Sequence, residues 1–326
     1  MRSLCVMLLL SCPVLGQFSL FTCASISKAY VVGAKLPASG LFFKSTAGMW
    51  EHLGFNHPFI TALDYDQRGI FYLAAGNGLI RAWDGGRTWK ILTGSDVTEL
   101  RDVAIDRNAP GTMYFAHTAG IRVTRDNGVS WSDADSGIRR KYTEAVRVDR
   151  TRAGRLVAGA QEGLYFSPDG GRSWQRAGGS GFQVMHIEQS PHDPCFWLAV
   201  TQQGGIFASR DCGRSFENLG NTGVGRNLYD ISFDPTRAGR IAVAGWGPGV
   251  MVSDDSGKTW VARNAGLPRP QVWSVAFDPA NSGRLYCGVH EEALYVSGDA
   301  GVSWRKDGLE GSIVHRMTFV PERPAR

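Results

Sequence analysis

Four side chains of this sequence could do chemistry together if the fold gathers them: Asp102, His186, Asp230 and Arg316. Two carboxylates flanking a glycosidic bond can act as acid and base, which makes Asp102 and Asp230 the weak candidates for catalysis. Loops and turns next to these positions carry Arg101, Glu144, Tyr229, Trp246, Trp273, His290, Glu291 and Glu292. Aromatic rings beside a few polar groups are what a sugar or peptide site uses. The expected ligand set is therefore Asp102, His186, Asp230, Arg316, Tyr229 and Trp273, against the plainer alternative of a polar channel lined only by water. Arg139-Arg140-Lys141 is the strongest basic spot and the candidate docking loop for an acidic surface; most such triplets are solvated loops.

Other chemistries lack their residues. The seven histidines include no H-E-x-x-H pair, the Cys and His spacing does not suggest zinc, and there is no G-x-S-x-G elbow. No metal or cofactor is expected. A formal charge of +5, with its basic residues scattered through turns, gives nucleic acid no footprint.

What must position these residues is a repeat. Ser167–Trp174 reads SPDGGRSW, and its relatives are TRDNGVSW ending at Trp131, SRDCGRSF at Phe216, SDDSGKTW at Trp260, SGDAGVSW at Trp304 and AWDGGRTW at Trp89. These closing aromatics recur every 42 to 44 residues, the period of a repeat architecture whose units bury their apolar faces on one another. Within each octet the Asp (Asp84, Asp126, Asp169, Asp211, Asp255, Asp299) can accept hydrogen bonds from its own turn. The Gly two residues on permits positive φ, and the aromatic plugs the core. The aspartates are thus read as structural.

Each repeat has the grammar of four short strands: an apolar strand ending in Asp or Asp-Pro, a Gly-Arg turn, a second strand, a Gly hairpin, a third strand, the octet and a short fourth strand. That pattern predicts an all-β propeller. Six blades are complete, at roughly 59–92, 100–134, 143–177, 184–219, 228–263 and 272–307. Residues 313–320 look like a first strand and residues 30–54 like strands two to four, so the ends combine into a seventh, mixed blade that leaves no open edge. A six-bladed ring with loose ends is the rival.

The octets resemble the BNR or Asp-box motif S-x-D-x-G-x-[TS]-W, found in sialidases, xyloglucanase-type hydrolases, sortilin-type receptors and photosystem II stability/assembly-factor-like proteins. Six copies in period cover nearly all of the chain after residue 30. The resemblance implies a β-propeller whose octets join third and fourth strands, with binding sites on the opposite face. It also weakens the enzyme reading, because the sequence has no Arg-Ile-Pro signature of a sialidase and only one propeller where xyloglucanases pair two. The expectation is an exported, non-catalytic binding or assembly propeller with a protein or glycan partner; a glycoside hydrolase is the alternative.

Aligning first strands on their terminal Asp makes Ala62, Asp102, Ala145, His186, Asp230, Ser274 and Arg316 equivalent. Alternation then places them in the central channel near a mouth, and places Leu63, Val103, Val146, Ile187, Ile231, Val275 and Met317 between blades. At the amino terminus, Met1-Arg2 and the apolar run Leu4–Leu10 read as a secretory signal over residues 1–24, cut after Gly16 or Ala24. The propeller is assigned to 28–321 and a tail to 322–326, with no membrane segment in the mature chain and a secreted or periplasmic location. Cys195 and Cys212 face each other across a hairpin where another repeat has Gly283 and Ala300, which predicts a disulfide. Cys287 is read as a buried free thiol.

Overall fold

The computed structural model describes residues 17–28, 38–45, 47–220, 223–225 and 227–322. Seven four-stranded antiparallel sheets stand around one axis. Blades one to six begin with Ile60–Tyr65, Leu100–Ile105, Thr143–Val148, Val184–Gln189, Leu228–Phe233 and Val272–Phe277. Their second strands, such as Leu156–Ala160 and Ile241–Gly245, are buried on both faces because each blade is covered by two neighbours. Seven apolar clusters fill the seven interfaces. The set predicted to pack there, Leu63 through Met317, contributes one residue to each.

The ring closes as expected, by a mixed blade ordered Ser312–Pro321, Phe18–Ile26, Gly40–Lys44, Trp50–Leu53. Its composition differs from the expectation in one strand. The second strand is Phe18–Ile26, not a segment of residues 30–54, and it pairs with the C-terminal strand from Phe18↔Pro321 to Ile26↔Ser312. Residues 18–24 of the expected signal are here part of a strand buried on both sides. Leu20 and Ala24 pack toward blade six, while Phe21 and Cys23 pack toward blade one. Cleavage after Ala24 would remove most of this strand, whereas cleavage after Gly16 would leave it whole. The start of the predicted signal, residues 1–16, lies outside the described residues, as do 323–326 of the tail. Glu322 is held in place, its N–H on the Gln17 carbonyl at 2.7 Å.

The octet works as a hydrogen-bonded unit. The Ser167 hydroxyl donates to Asp169 Oδ1 at 2.8 Å and accepts the Gly171 N–H at 3.0 Å. Asp169 Oδ1 also takes the Ser173 N–H at 3.0 Å, and its Oδ2 takes the Ser173 hydroxyl at 2.6 Å. The same bonds recur at Asp211 and Asp299, and at Asp126 and Asp255. The side-chain bond from Thr259 at Asp255, and that from Ser297 at Asp299, head the causes that pull these carboxyls down to about 2. Asp84 departs from the pattern because Ala82 supplies no hydroxyl. It sits at φ 53° in a short 3-10 turn, and its carboxylate accepts the Thr88 hydroxyl at 3.0 Å.

Two successive left-handed residues shape the regular octets, since the position before the glycine is also positive: Asn127 60°, Cys212 63°, Ser256 63°, Ala300 57°. The glycine itself abuts the preceding blade; a Cβ on Gly213 would lie 2.6 Å from Val157. The aromatics are less uniform than expected. Trp174, Phe216 and Trp304 are buried, and the two indoles donate to carbonyls of the preceding blade, Ala134 at 2.7 Å and Arg263 at 2.8 Å. Trp89, Trp131 and Trp260 are only half-buried.

Cys195 and Cys212 form the expected disulfide, with the Cys212 N–H on the Cys195 carbonyl at 3.1 Å. The equivalent backbone bond elsewhere joins Gly154 to Gly170 and Gly283 to Ala300. Cys287 is a buried thiol, and so is Cys23, whose pKa burial raises to about 12. Ser167→Ala should cost about 1–2 kcal/mol of unfolding free energy in urea, because it strands the buried Gly171 N–H; an unchanged midpoint would show that the octet hydroxyl contributes nothing.

Candidate functional site

Innermost strands have only one sheet neighbour, so their inner edge must find other acceptors. Carboxylates of the preceding blade provide them. Asp64 Oδ2 takes the Ile105 N–H at 2.8 Å, Asp102 Oδ2 the Val146 N–H at 3.0 Å, and Asp230 Oδ2 the Val275 N–H at 2.9 Å. Their second oxygens accept the N–H of the next residue in their own strand: Tyr65, Val103 and Ile231 at 2.8, 3.0 and 3.0 Å.

Of the expected channel set, Asp102, His186, Asp230 and Arg316 come together in the bore, whereas Ala62 and Ala145 pack in the apolar clusters between blades. Arg147 donates to Asp102 through Nη1 and meets His186 Nε2 through Nη2 at 2.6 Å. Arg316, from the closing blade, reaches His186 Nε2 at 2.6 Å and lies 3.4 Å from Asp230. His186 Nδ1 hydrogen-bonds Asp230. Nε2 faces two permanent cations, so it is the lone-pair nitrogen and Nδ1 carries the proton toward Asp230. Burial first, then the Arg316 charge, pushes the imidazole down to about 4. Burial alone would raise Asp230, but His186, Arg316 and the Val275 N–H hold it below the ordinary carboxylate range.

The position of this cluster differs from the expectation. Asp102, His186 and Asp230 are buried and form a bar across the bore with Arg316, rather than a ring at its mouth. A void of about 320 Å³ continues from the bar along Arg107, Arg150, Glu188, Pro191, Pro235 and Phe319. Those are the C-terminal ends of the first strands, on the octet side and not opposite it. Sequence reasoning missed Arg147, Asp64 and Glu188. Burial raises the Glu188 carboxyl, against the pull of Arg147 and Arg150.

The opposite mouth is built by bulges. Every first strand slips register after its first residue, as between Leu100/Asp102 and Leu228/Asp230, and the C-terminal strand does so at His315. The extra residues leave strict alternation, so Arg101, Glu144, Tyr229, Trp273 and His315 join the channel lip next to channel-facing neighbours. Arg101 grips Glu144 with two bonds of 2.7 and 3.0 Å. Tyr229 and Trp273 stack at 4.4 Å with a 16° interplanar angle, and His290 bridges onward to Trp246, with centroids at 5.9 and 4.9 Å. Trp246 is 41% exposed. The ledge thus runs from half-buried Tyr229 to solvent. In the docking loop, Arg140 pairs with Glu162 at 2.8 Å and Lys141 with Asp135 at 3.0 Å, both within the chain. Among the described residues no group of three or more His, Cys, Asp or Glu could hold a metal, and no helix is long and apolar enough to cross a membrane.

The chain is a single seven-bladed β-propeller. No protein-family model matches it, and no curated protein matches it. Solved structures do. The chain is similar to the GH74 enzyme of Niastella koreensis (TM-score 0.70, 18% identity, 82% of this chain and 51% of that one). It is also similar to the GH74 xyloglucanase of Xanthomonas campestris (0.61, 16%, 76% and 45%), and to YCF48 solved with a D1 peptide (0.59, 20%, 76% and 82%). It spans about half the length of the GH74 enzymes and most of YCF48.

The His186 shift has a readable consequence. Folded His186 stays neutral to about pH 4, and the unfolded side chain takes a proton near 6.5. His315, pushed to about 4 by burial and then the Arg101 charge, behaves alike. Between those values the unfolded chain binds more protons, so stability is full above about pH 6.5 and falls toward pH 4. Urea unfolding over this range should show a net uptake of protons that His186→Gln reduces; a flat profile would contradict the buried neutral imidazoles.

Proposed function

We propose that this propeller is an exported, non-catalytic binding protein that holds a protein segment on the face opposite the octets. The observation that carries the reading is the saturation of Asp102 and Asp230. Each carboxylate already accepts two backbone N–H groups and one charged or imidazole partner, deep in the bore. A general acid needs a protonated carboxyl within reach of the leaving oxygen, and neither has a free edge to offer.

The binding ledge is Tyr229, Trp273, His290 and Trp246, with the Arg101–Glu144 pair across the lip. Stacked rings held on rigid strands supply contact area with little side-chain entropy to lose. Arg139, the member of the basic triplet without an ion-pair partner among the described residues, adds a peripheral contact. The YCF48 propeller solved with a D1 peptide is consistent with a protein partner. The GH74 neighbours keep a glycoside hydrolase as the second reading. Export rests on the apolar run after Met1-Arg2, with a mature chain that retains Phe18–Ile26.

Peptide and glycan arrays probed with the purified chain decide between these. Trp273→Ala should weaken the captured ligand by about tenfold or more, the loss of one stacked aromatic, while Asp102→Asn should lower the melting temperature and leave affinity intact. Turnover of xyloglucan or a sialoside by the wild type, abolished in Asp102→Asn or Asp230→Asn, would overturn the reading.

A further inference from the structure

The residue that follows the positive-φ glycine of each third-to-fourth-strand turn is exposed in all seven blades. In blades one, three, four and five it is Arg87, Arg172, Arg214 and Lys258; in the closing, second and sixth blades it is Met49, Val129 and Val302. Scattered along the chain, these residues look incidental. The repeat brings them to one face, where the seven tips are four cations and three bare apolar side chains, with no acid among them.

The apolar tips are unusually bare: Val129 is 85% exposed, Met49 64% and Val302 56%. Among the described residues none of these four cations has an ion-pair partner. Arg87 and Arg214 donate to the carbonyls of Asp84 and Asp211, at 3.2 and 3.1 Å. The aspartates of the regular octets turn their oxygens into the turn, as Asp169 does toward Ser167 and Ser173. Arg125 and Arg210 add further exposed cations at the second octet position.

We propose that the octet face is a docking surface for bilayers that carry anionic phospholipids. Cations and bare apolar side chains at the tips of one disc face match headgroup phosphates and the acyl boundary beneath them. A soluble acidic partner would match the cations but leave three aliphatic tips on separate blades with nothing to enter. The ligand ledge of the proposed function lies on the other face and would point away from the membrane.

The test is co-sedimentation with vesicles of phosphatidylcholine alone and of phosphatidylcholine mixed with phosphatidylglycerol. The wild type should partition to the mixed vesicles and be released by salt. The triple variant Arg172→Gln/Arg214→Gln/Lys258→Gln should lose about a hundredfold, on the order of fivefold for each cation removed. Val129→Ser/Val302→Ser should also weaken partitioning, and both variants should keep the wild-type melting temperature because the altered side chains are exposed. Trp273→Ala should bind vesicles normally, which separates this surface from the ligand ledge. Equal sedimentation with both vesicle types, no sedimentation with either, or an unaffected triple variant would overturn the proposal. So would retention on immobilised polyglutamate without vesicle binding, which would assign the face to an acidic protein.

Discussion

A ring of sheets has no raw edge only if its first and last strands share a blade, and that constraint governs this structure. Phe18–Ile26 lies between Ser312–Pro321 and Gly40–Lys44, so strands from the two ends of the chain hydrogen-bond side by side. Phe21 meets Phe71 of blade one edge-on at 4.7 Å, while Leu20 joins Tyr286 and Leu294 of blade six in one cluster. One strand thereby completes two interfaces. The same closure delivers Arg316 to the bore, where it meets His186 from the far side of the ring.

Closure also sets the polar contacts along the channel wall. Once the blades stand in a circle, the innermost N–H groups face the channel and need acceptors from the neighbouring blade. Asp64, Asp102, Asp230 and the Ser232 hydroxyl take up that role, each reaching into the next blade. A buried acceptor in such a position is costly to remove because it leaves its donor unmet. In three dimensions Asp102 and Asp230 hydrogen-bond across neighbouring blades.

Much of this was legible in the sequence for a physical reason. Repeats make positions comparable, so the interblade set from Leu63 to Met317, the meeting of Asp102, His186, Asp230 and Arg316, and the disulfide could be read by counting, while Ala62 and Ala145 of the expected channel set joined the interblade clusters instead. Counting failed where the chain breaks its own rule. The bulge at the start of each first strand adds a residue that hydrophobic alternation does not mark, so the stacking of Tyr229 on Trp273 was not derivable. Asp84 keeps the octet's carboxylate but lacks the hydroxyl that organises it. The strand Phe18–Ile26 overlaps the expected leader only because a cut after Ala24 fits the small-residue rule as well as one after Gly16.

Equilibrium unfolding of a chain that begins at Gln17, set against one that begins at Ser25, tests the closure most directly. The longer chain should unfold in one cooperative transition. The shorter one, deprived of Phe18–Ala24, should lose that transition or shift it far toward native conditions, with exposed apolar surface at the junction of blades six and one. Two curves with the same midpoint and slope would mean that the ring does not depend on its amino-terminal strand.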